Sequence, residues 1–277
     1  AESTRAHHFA KKYPSRFVEV GVAEQNMLGV ATGLALEGKI PFATSFGAFS
    51  PGRNWDQLRV SVCYSNANVK IIGSHTGLSV GPDGASHQAL EDIAITRCLP
   101  NLVVLAPADF KETKLATVAA AKHQGPVYIR FARQAGPIFT KGKFAIGKAQ
   151  VLIPGKDITL IGCGPILEEA LIAARELAKK NIKLEVINSA SIKPLDKNTI
   201  LKSVKKTGRV ITLEDHQIIG GLGSAVAELL SEKLPTPIKM IGVRDQFGRS
   251  GKADQLWEKY KMTHPYIIKE VLNLLKK

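Results

Sequence analysis

The chain has 277 residues and carries 38 Lys and Arg against 24 Asp and Glu, a net charge of +14 at pH 7. Hydrophobic residues make up 44% of it, which suits a globular protein with a sizeable core and excludes a disordered chain. The three cysteines are too few for a disulfide-stapled miniprotein, and no apolar run is long enough to cross a membrane. These features predict a cytoplasmic protein with no membrane attachment.

The positive charge is dispersed along the predicted helices, mostly as lysine. It is not interleaved with aromatic residues as in a nucleic-acid-binding surface, so no nucleic-acid partner is expected. The simplest interpretation is a solvated lysine-rich surface, and a phosphorylated small molecule would also suit this charge. The chain opens on a polar, basic segment without an initiating Met, which predicts that it begins inside a longer gene product.

Strand-like and helix-like patterns alternate through the first half of the chain. The predicted strands are residues 17–20, 41–44, 69–72, 103–106 and 127–131, and the predicted helices are residues 23–36, 55–64, 88–96 and 109–123. Strands separated by helices of this length predict a parallel sheet wrapped by helices.

Residues 136–147 break this rhythm with a Gly- and Lys-rich segment, which is the predicted linker. A second alternating block follows it. Its predicted strands are residues 158–161, 183–187, 210–213 and 239–242, and its predicted helices are residues 167–180, 197–207, 223–234 and 266–275. The sequence therefore predicts an α/β protein with two open, mainly parallel-sheet domains.

Ligands of such sheets gather beyond the carboxyl ends of the strands, so the polar segments after strands are the candidate site. Glu24 follows the first predicted strand at the start of an apolar helix, where the helix dipole favours a carboxylate. It is either simple helix-start electrostatics or a carboxylate presented to a ligand. Phe46 and Phe49 flank two small residues after the next strand. They are either core aromatics or a surface that stacks on a flat heteroaromatic ring.

The most informative segment is the loop of residues 73–88, which carries four glycines between a strand and a helix. Such a loop is costly to order and usually has a binding role. His75, Asp83 and His87 offer donors and acceptors that suit sugar hydroxyls, and their spacing matches no zinc pattern. Beyond the last strand of the first half, Arg133 is in reach of an anionic group, which its guanidinium would hold bidentately.

Together these segments resemble the carboxyl-terminal half of transketolases over essentially the whole chain. The Gly-Val-Ala-Glu-Gln-Asn-Met and Ser-Phe-Gly-Ala-Phe stretches, the His-rich loop and Phe-Ala-Arg-Gln stand in family order and spacing. So does the later Leu-Glu-Asp-His with its Gly-Gly-Leu-Gly. The resemblance implies a thiamine-diphosphate pyrimidine-binding domain over residues 1–140 and a transketolase C-terminal domain over residues 141–277.

The resemblance also implies how the cofactor is held. Glu24 matches the catalytic carboxylate that hydrogen-bonds a ring nitrogen of the aminopyrimidine. That contact favours the imino tautomer, which removes the thiazolium proton. Phe46 and Phe49 match the aromatic residues that pack on the pyrimidine ring.

A second set of residues is implied for the substrate. His87 matches the catalytic histidine near the reacting end of the ketose. Asp83 matches the carboxylate that reads the hydroxyl next to the carbonyl. His75 and Arg133 match groups that hold the sugar phosphate, and Ser3 is expected to join them.

The family motif that binds the diphosphate and its metal, Gly-Asp-Gly followed by Asn, is absent from this sequence. The resemblance therefore implies a split transketolase whose separate N-terminal subunit binds the diphosphate and a Mg²⁺ or Ca²⁺ ion. It implies self-association into a dimer core, within a heterotetramer of the two subunits. The strand and helix that open the pyrimidine domain in the family are also expected to be missing from the chain.

The implied activity is transfer of a two-carbon ketol unit from a ketose phosphate to an aldose phosphate, as in the pentose phosphate pathway. Two relatives from the same superfamily are alternatives. One is 1-deoxyxylulose-5-phosphate synthase, which lacks a histidine where His75 stands. The other is the beta subunit of 2-oxoacid dehydrogenases, whose loop lacks the set of His75, Asp83 and His87. A non-catalytic homologue is a third alternative, against which the retained Glu24 argues.

Overall fold

The structure is a computed structural model, and it describes residues 2–276. In the first half, helices and strands alternate. The strands are β1 (Phe42–Phe46), β2 (Lys70–Ser74), β3 (Val103–Leu105) and β4 (Val127–Arg130). The α-helices are α1 (His7–Lys12), α2 (Glu24–Leu36), α3 (Trp55–Gln57), α4 (Asp92–Arg97) and α5 (Phe110–Lys122). Other helical turns span Pro14–Arg16, Leu58–Tyr64 and Leu78–Asp83.

The second half repeats this alternation. Its strands are β5 (Gln150–Ile153), β6 (Ile158–Gly162), β7 (Leu184–Asn188), β8 (Ser191–Lys193), β9 (Val210–Gln217) and β10 (Ile238–Val243), and its helices are α6 (Leu167–Ala178), α7 (Lys197–Thr207), α8 (Leu222–Lys233), α9 (Ala253–Lys259) and α10 (His264–Leu275).

Residues 2–276 form two five-stranded sheets, each with one antiparallel edge strand. The first has the order β1-β2-β4-β3-β8 and the second β10-β9-β6-β7-β5. The antiparallel pairs are β3 with β8 and β5 with β7, and all other neighbours run parallel. Parallel neighbours need long crossover connections, which the helices supply. The predicted fold class, α/β with two mainly parallel sheets, is confirmed.

The strand β8 comes from the second half of the chain but pairs with β3 of the first sheet. One apolar cluster also runs between the halves, from Leu28 and Leu58 to Ile192 and Val226. The sequence did not predict β8, because three residues are too few to show a period of two. The division of the chain at residue 140 stays a prediction.

Some predicted elements are wrong or shifted. Residues 17–20 form no strand, because no neighbouring strand pairs with their backbone, and Val18 is 57% exposed. The predicted helix 88–96 begins only at Asp92 as α4, since the segment before it closes the preceding loop, where Ala89 accepts a hydrogen bond from the backbone N–H of Gly77. The predicted helix 55–64 is the short α3 followed by a π-helix over Leu58–Tyr64.

The parallel pairing brings the candidate segments to one edge of the first sheet. Phe46 ends β1 directly beside Ser74, which ends β2. The hydroxyl of Ser74 donates to the carbonyl of Ser45 at 3.1 Å, which fixes the two strand ends to each other. Beyond β4, the carbonyl of Phe131 accepts the backbone N–H of Thr76 at 3.1 Å. The residues that follow three strands therefore lie together.

Candidate functional site

Glu24 is the first residue of α2, and its side chain is only 6% exposed. Ser45 donates its hydroxyl to Oε1 at 3.0 Å, and Arg53 donates from Nη1 to Oε2 at 3.0 Å. Asn54 donates from Nδ2 to the Glu24 backbone carbonyl at 3.0 Å. The carboxylate is therefore fixed at the end of β1 by Ser45 and Arg53, and the backbone of Glu24 is held by Asn54.

This set of contacts leaves the carboxylate able to bind a further group. An ionised carboxylate has about four lone-pair sites, and the contacts from Ser45 and Arg53 use one on each oxygen. The remaining capacity suits a donor N–H of a ligand. A helix start alone does not explain Glu24, because its side chain is bound by β1 and by the segment after it and does not cap the backbone of α2.

Four aromatic rings form a cluster at the ends of β1 and β2. The rings of Phe46 and Phe49 are parallel to within 6°, with centroids 6.2 Å apart. His75 stacks on Phe46 at 4.0 Å. His87 presents its edge to Phe46 at 5.9 Å and to Phe49 at 5.3 Å. All four rings are half-buried, so this is a partly exposed aromatic surface and not a closed core.

The His75 imidazole lies where protonation is disfavoured. Burial lowers its pKa from the usual 6.5, and the nearby charge of Arg133 lowers it further, while Asp83 opposes the shift. Its Nδ1 lies 3.1 Å from the hydroxyl of Ser74. His75 also has a φ of 54°, a left-handed conformation that is uncommon outside glycine. The lowered pKa favours a neutral imidazole, which stacks on Phe46. The left-handed backbone conformation at His75 costs conformational free energy.

Asp83 and Arg133 form an ion pair at the exposed edge of the same surface. Arg133 donates from Nη1 to Oδ2 of Asp83 at 3.0 Å and to the carbonyl of Val80 at 3.1 Å. Their side chains are 34% and 41% exposed, respectively. Arg133 is therefore within reach of a solvent-borne anion, and Asp83 of a hydroxyl beside it.

Ser3 differs from the other predicted residues. It lies in an exposed turn before α1. Among residues 2–276, none of the hydrogen bonds, ion pairs or ring contacts joins it to the aromatic cluster or to Arg133. The structure thus brings together the predicted residues except Ser3, and the roles of all of them stay predictions.

Arg130, the last residue of β4, is a structural residue. It donates from Nε and Nη2 to the two carboxylate oxygens of Asp92, at 2.9 and 3.1 Å. Tyr128 donates its hydroxyl to the same carboxylate at 2.8 Å. All three residues are buried, so Arg130 fixes α4 to β4 and is not available to a ligand.

Sequence reasoning missed two residues of this site. Ser45 lies inside a quoted motif, but nothing distinguished its hydroxyl from that of any other serine. Arg53 pairs with Glu24 across 29 residues, and its guanidinium carbon lies 4.7 Å from the centre of the Phe49 ring. No local pattern predicts such a contact, because it depends on how the chain turns after β1.

The candidate site is an open surface, and a separate cavity lies elsewhere in the first half of the chain. A cavity of about 330 Å³ lies beside the π-helix, between Tyr64 and Asn101. Within residues 2–276, no group of three or more His, Cys, Asp or Glu is arranged to hold a metal ion. None of the helices formed by those residues is both long and apolar enough to span a bilayer.

Comparison with known proteins identifies the family. Residues 1–138 match the family described as "Transketolase, pyrimidine binding domain", and residues 147–267 match "Transketolase, C-terminal domain". These matches cover both sheets and the whole candidate site. The chain belongs to the transketolase family, whose members are thiamine-diphosphate-dependent transferases.

The relatives include proteins of nearly the same length. The chain is 46% identical to the "Putative transketolase C-terminal section" of Methanocaldococcus jannaschii, over 99% of this chain and 88% of that protein. It is 43% identical to the "6-deoxy-6-sulfo-D-fructose transketolase subunit SqwH" of a Clostridium species, over 94% of this chain and 82% of the relative. A solved structure called "Split gene transketolase, inactive beta4 tetramer" superimposes with a TM-score of 0.92 at 44% identity, over 100% of this chain and 89% of the other. The chain is thus similar to single subunits of divided transketolases.

Proposed function

We propose that this chain is the pyrimidine-binding subunit of a split transketolase, which transfers a two-carbon ketol unit from a ketose phosphate to an aldose phosphate. The observation that carries the proposal is the buried Glu24 carboxylate beside the parallel rings of Phe46 and Phe49. A fixed carboxylate next to flat apolar faces suits a heteroaromatic ring that presents an N–H donor.

The Glu24 carboxylate and the rings of Phe46 and Phe49 fit the aminopyrimidine of thiamine diphosphate. Glu24 would accept the hydrogen bond from the ring nitrogen, with Ser45 and Arg53 keeping its carboxylate in place, and Phe46 and Phe49 would pack on the ring. When bound, the cofactor supplies a thiazolium carbon that acts as an electron sink. The diphosphate and a divalent ion, Mg²⁺ or Ca²⁺, would be held by the partner subunit.

The substrate would extend from the ring cluster toward the exposed ion pair. His87, at the edge of both phenylalanine rings, would exchange protons with the reacting end of the sugar. Asp83 would accept a hydrogen bond from the substrate hydroxyl beside the carbonyl. His75 and Arg133 would hold the phosphate of the substrate. Binding a phosphate at a distance from the reacting carbon orients that carbon. Ser3 would join them at this phosphate.

A partner subunit is consistent with the exposed apolar residues before α2, at its end and at the start of β1. Val22 is 89% exposed just before α2, Leu36 is 70% exposed at its end, and Phe42 is 41% exposed at the start of β1. Apolar side chains left exposed in this way are available to an interface with another subunit. The related split-gene transketolase is named as inactive in its beta4 form, which supports the need for a partner subunit. We infer that this chain forms a dimer core within a heterotetramer.

The test is an activity assay of this chain alone and mixed with a separately produced diphosphate-binding subunit. The substrates are xylulose 5-phosphate and ribose 5-phosphate, with thiamine diphosphate and Mg²⁺. We expect ketol transfer only in the mixture. Omitting the cofactor and replacing Glu24 with Ala are the matched controls.

Two results would contradict the proposal. Activity of this chain alone would show that the partner requirement is wrong. Inactivity in a mixture that assembles by analytical ultracentrifugation would favour the alternatives, and pyruvate would then be tried as donor. Turnover of pyruvate would indicate the synthase or dehydrogenase-type chemistry. A cytoplasmic location and a role in pentose phosphate metabolism stay predictions.

A further inference from the structure

The loop that carries His75, Asp83 and His87 is held by the second half of the chain. Asp215, near the end of β9, accepts the backbone N–H of Leu78 on Oδ1 at 2.8 Å and that of Ser79 on Oδ2 at 3.2 Å. These two residues open the 3₁₀ helix Leu78–Asp83. One carboxylate from the second half therefore fixes the first turn of this segment, which bends at Gly81 before it reaches Asp83.

Asp215 is itself held in place. Its side chain is buried, and Oδ2 also accepts the indole N–H of Trp257 in α9 at 3.1 Å. Its backbone carbonyl accepts a hydrogen bond from Nη2 of Arg130 at 3.2 Å. A buried carboxylate with these partners has little freedom to move. The backbone N–H groups of the loop that are bonded to it are therefore held in one position.

The close approach is built into the loop sequence. Gly77 has a φ of 80°, and a Cβ there would collide with the carboxylate of Asp215. Further along, a Cβ at Gly84 would collide with the hydroxyl of Ser250. Gln88 donates from Nε2 to the carbonyl of Arg249 at 2.9 Å. The Gly-rich loop thus follows the second half from Gly77 to Gln88, and the segment 248–251 supports its far end.

The aromatic cluster depends on this loop but not on direct contact with Asp215. His75 lies two residues before Gly77, and His87 lies one residue before Gln88. By contrast, Phe46 lies in β1, and the Glu24 carboxylate is bound by Ser45 and Arg53, which both belong to the first half. Movement of the loop would therefore displace the predicted substrate residues and leave the predicted pyrimidine-binding residues in place.

We infer that Asp215 is a positioning residue: through the N–H groups of Leu78 and Ser79 it sets the loop so that His75, Asp83 and His87 face the substrate. The inference rests on the function proposed above and adds a role for the second half, which contributes none of the predicted site residues. A purely structural role would change stability alone, whereas a positioning role changes substrate binding and leaves cofactor binding unchanged.

The first experiment measures amide hydrogen exchange of the full chain, and it needs no activity. Asp215→Ala is compared with Asp196→Ala, a matched control. Asp196 is also a buried aspartate that accepts backbone N–H groups, from Ala149 and Thr199, but it lies outside the loop contacts. We expect exchange of residues 77–88 to rise at least about tenfold in Asp215→Ala and to stay unchanged in Asp196→Ala. Unchanged loop exchange in Asp215→Ala would overturn the inference.

The second experiment measures kinetics in the assembled enzyme, with variants that preserve the fold. Asp215→Asn keeps the shape but turns one acceptor oxygen into a donor facing an N–H, and Trp257→Phe removes only the indole donor. We expect kcat/KM for the sugar phosphates to fall about tenfold in Asp215→Asn, through KM, with thiamine diphosphate affinity unchanged. Trp257→Phe should show a smaller change in the same direction.

The outcomes separate this inference from the proposed function. A KM for Asp215→Asn equal to that of Asp196→Asn, at equal losses of melting temperature, would overturn the positioning role. If the wild-type mixture lacks transketolase activity while loop exchange still rises in Asp215→Ala, the proposed function fails and the support of the loop by Asp215 stands.

Discussion

Arg53 forms an ion pair with Glu24 and also lies over the ring of Phe49. It therefore connects the carboxylate and one aromatic ring of the predicted pyrimidine site. The guanidinium donates to Oε2 of Glu24 at 3.0 Å, and its carbon lies 4.7 Å from the centre of the Phe49 ring. The Glu24 side chain is 6% exposed, whereas that of Arg53 is 50% exposed. The buried partner is therefore suited to bind the cofactor, and the exposed partner is suited to keep it oriented.

Replacing Glu24 with Ala should abolish hydrogen exchange at the thiazolium carbon in the assembled enzyme. The reason is that Glu24 is the buried carboxylate of this site, whereas Asp83 lies at its exposed edge and is paired with Arg133. We expect the exchange rate to fall by at least about a hundredfold, as for loss of an acid–base group. The rate is measured by NMR after incubation in deuterated buffer and quenching. Glu37→Ala, at the exposed far end of α2, is the control. Exchange that continues at the wild-type rate would refute the assignment of Glu24.

Replacing Arg53 with Gln should weaken thiamine diphosphate binding only modestly. An ion pair with one half-exposed member contributes up to about 1 kcal/mol, which corresponds to about fivefold in the dissociation constant. The measurement is a titration of the assembled enzyme followed by tryptophan fluorescence. Arg97→Gln, which removes the ion pair with Glu228, is the matched control. A loss as large as that of Glu24→Ala would mean that Arg53 contacts the cofactor itself.

Replacing Asp83 with Ala should mainly reduce discrimination between acceptor sugars. Asp83 is an exposed carboxylate four residues before His87 on the loop, so its loss removes a hydrogen-bond acceptor for the hydroxyl beside the carbonyl. We expect the ratio of kcat/KM for a hydroxylated acceptor over its deoxy analogue to fall about tenfold, the worth of one such bond. Asp157→Ala in the second half is the control. An unchanged ratio would show that Asp83 serves only to pair with Arg133.

Acid should destabilise the chain through His216, whose imidazole is fully buried. Its Nε2 accepts the backbone N–H of Ile93 at 3.2 Å, and its Nδ1 lies 2.6 Å from the carbonyl of Gln217, so the neutral ring satisfies both contacts. Burial lowers the pKa of His216 from 6.5 to about 4. The unfolded chain binds the proton more readily, so stability falls as the pH drops from 6.5 toward about 4.

This pH dependence can be measured by urea unfolding between about pH 7.5 and pH 5. The loss assigned to His216 reaches about 3 kcal/mol when the pH passes below the folded-state pKa. We expect His216→Gln to be less stable at neutral pH but to lose less stability on acidification. His8→Gln, at an exposed position, should keep the wild-type slope. Equal slopes for all three proteins would contradict the prediction.

The sequence by itself determined the alternation of strands and helices, and with it the α/β class. Period-two and helical patterns and the glycines between them are local properties, readable within about ten residues. It also placed Glu24 at a helix start and His75, Asp83 and His87 on one loop, because chain neighbours stay neighbours in the fold. Short or irregular elements escaped it: β8 is too short, and residues 17–20 carry the composition of a strand without a strand to pair with.

Only the tertiary structure decided which distant residues meet. The contact of Arg53 with Glu24 spans 29 residues, and that of Asp215 with Leu78 spans 137. Such contacts depend on which strands pair and where crossovers return the chain, and a single sequence does not encode those choices in any local pattern. Strand pairing also explains the different positions of two nearby arginines. Arg130 forms a buried ion pair with Asp92, 38 residues away, whereas Arg133 is exposed and pairs with Asp83.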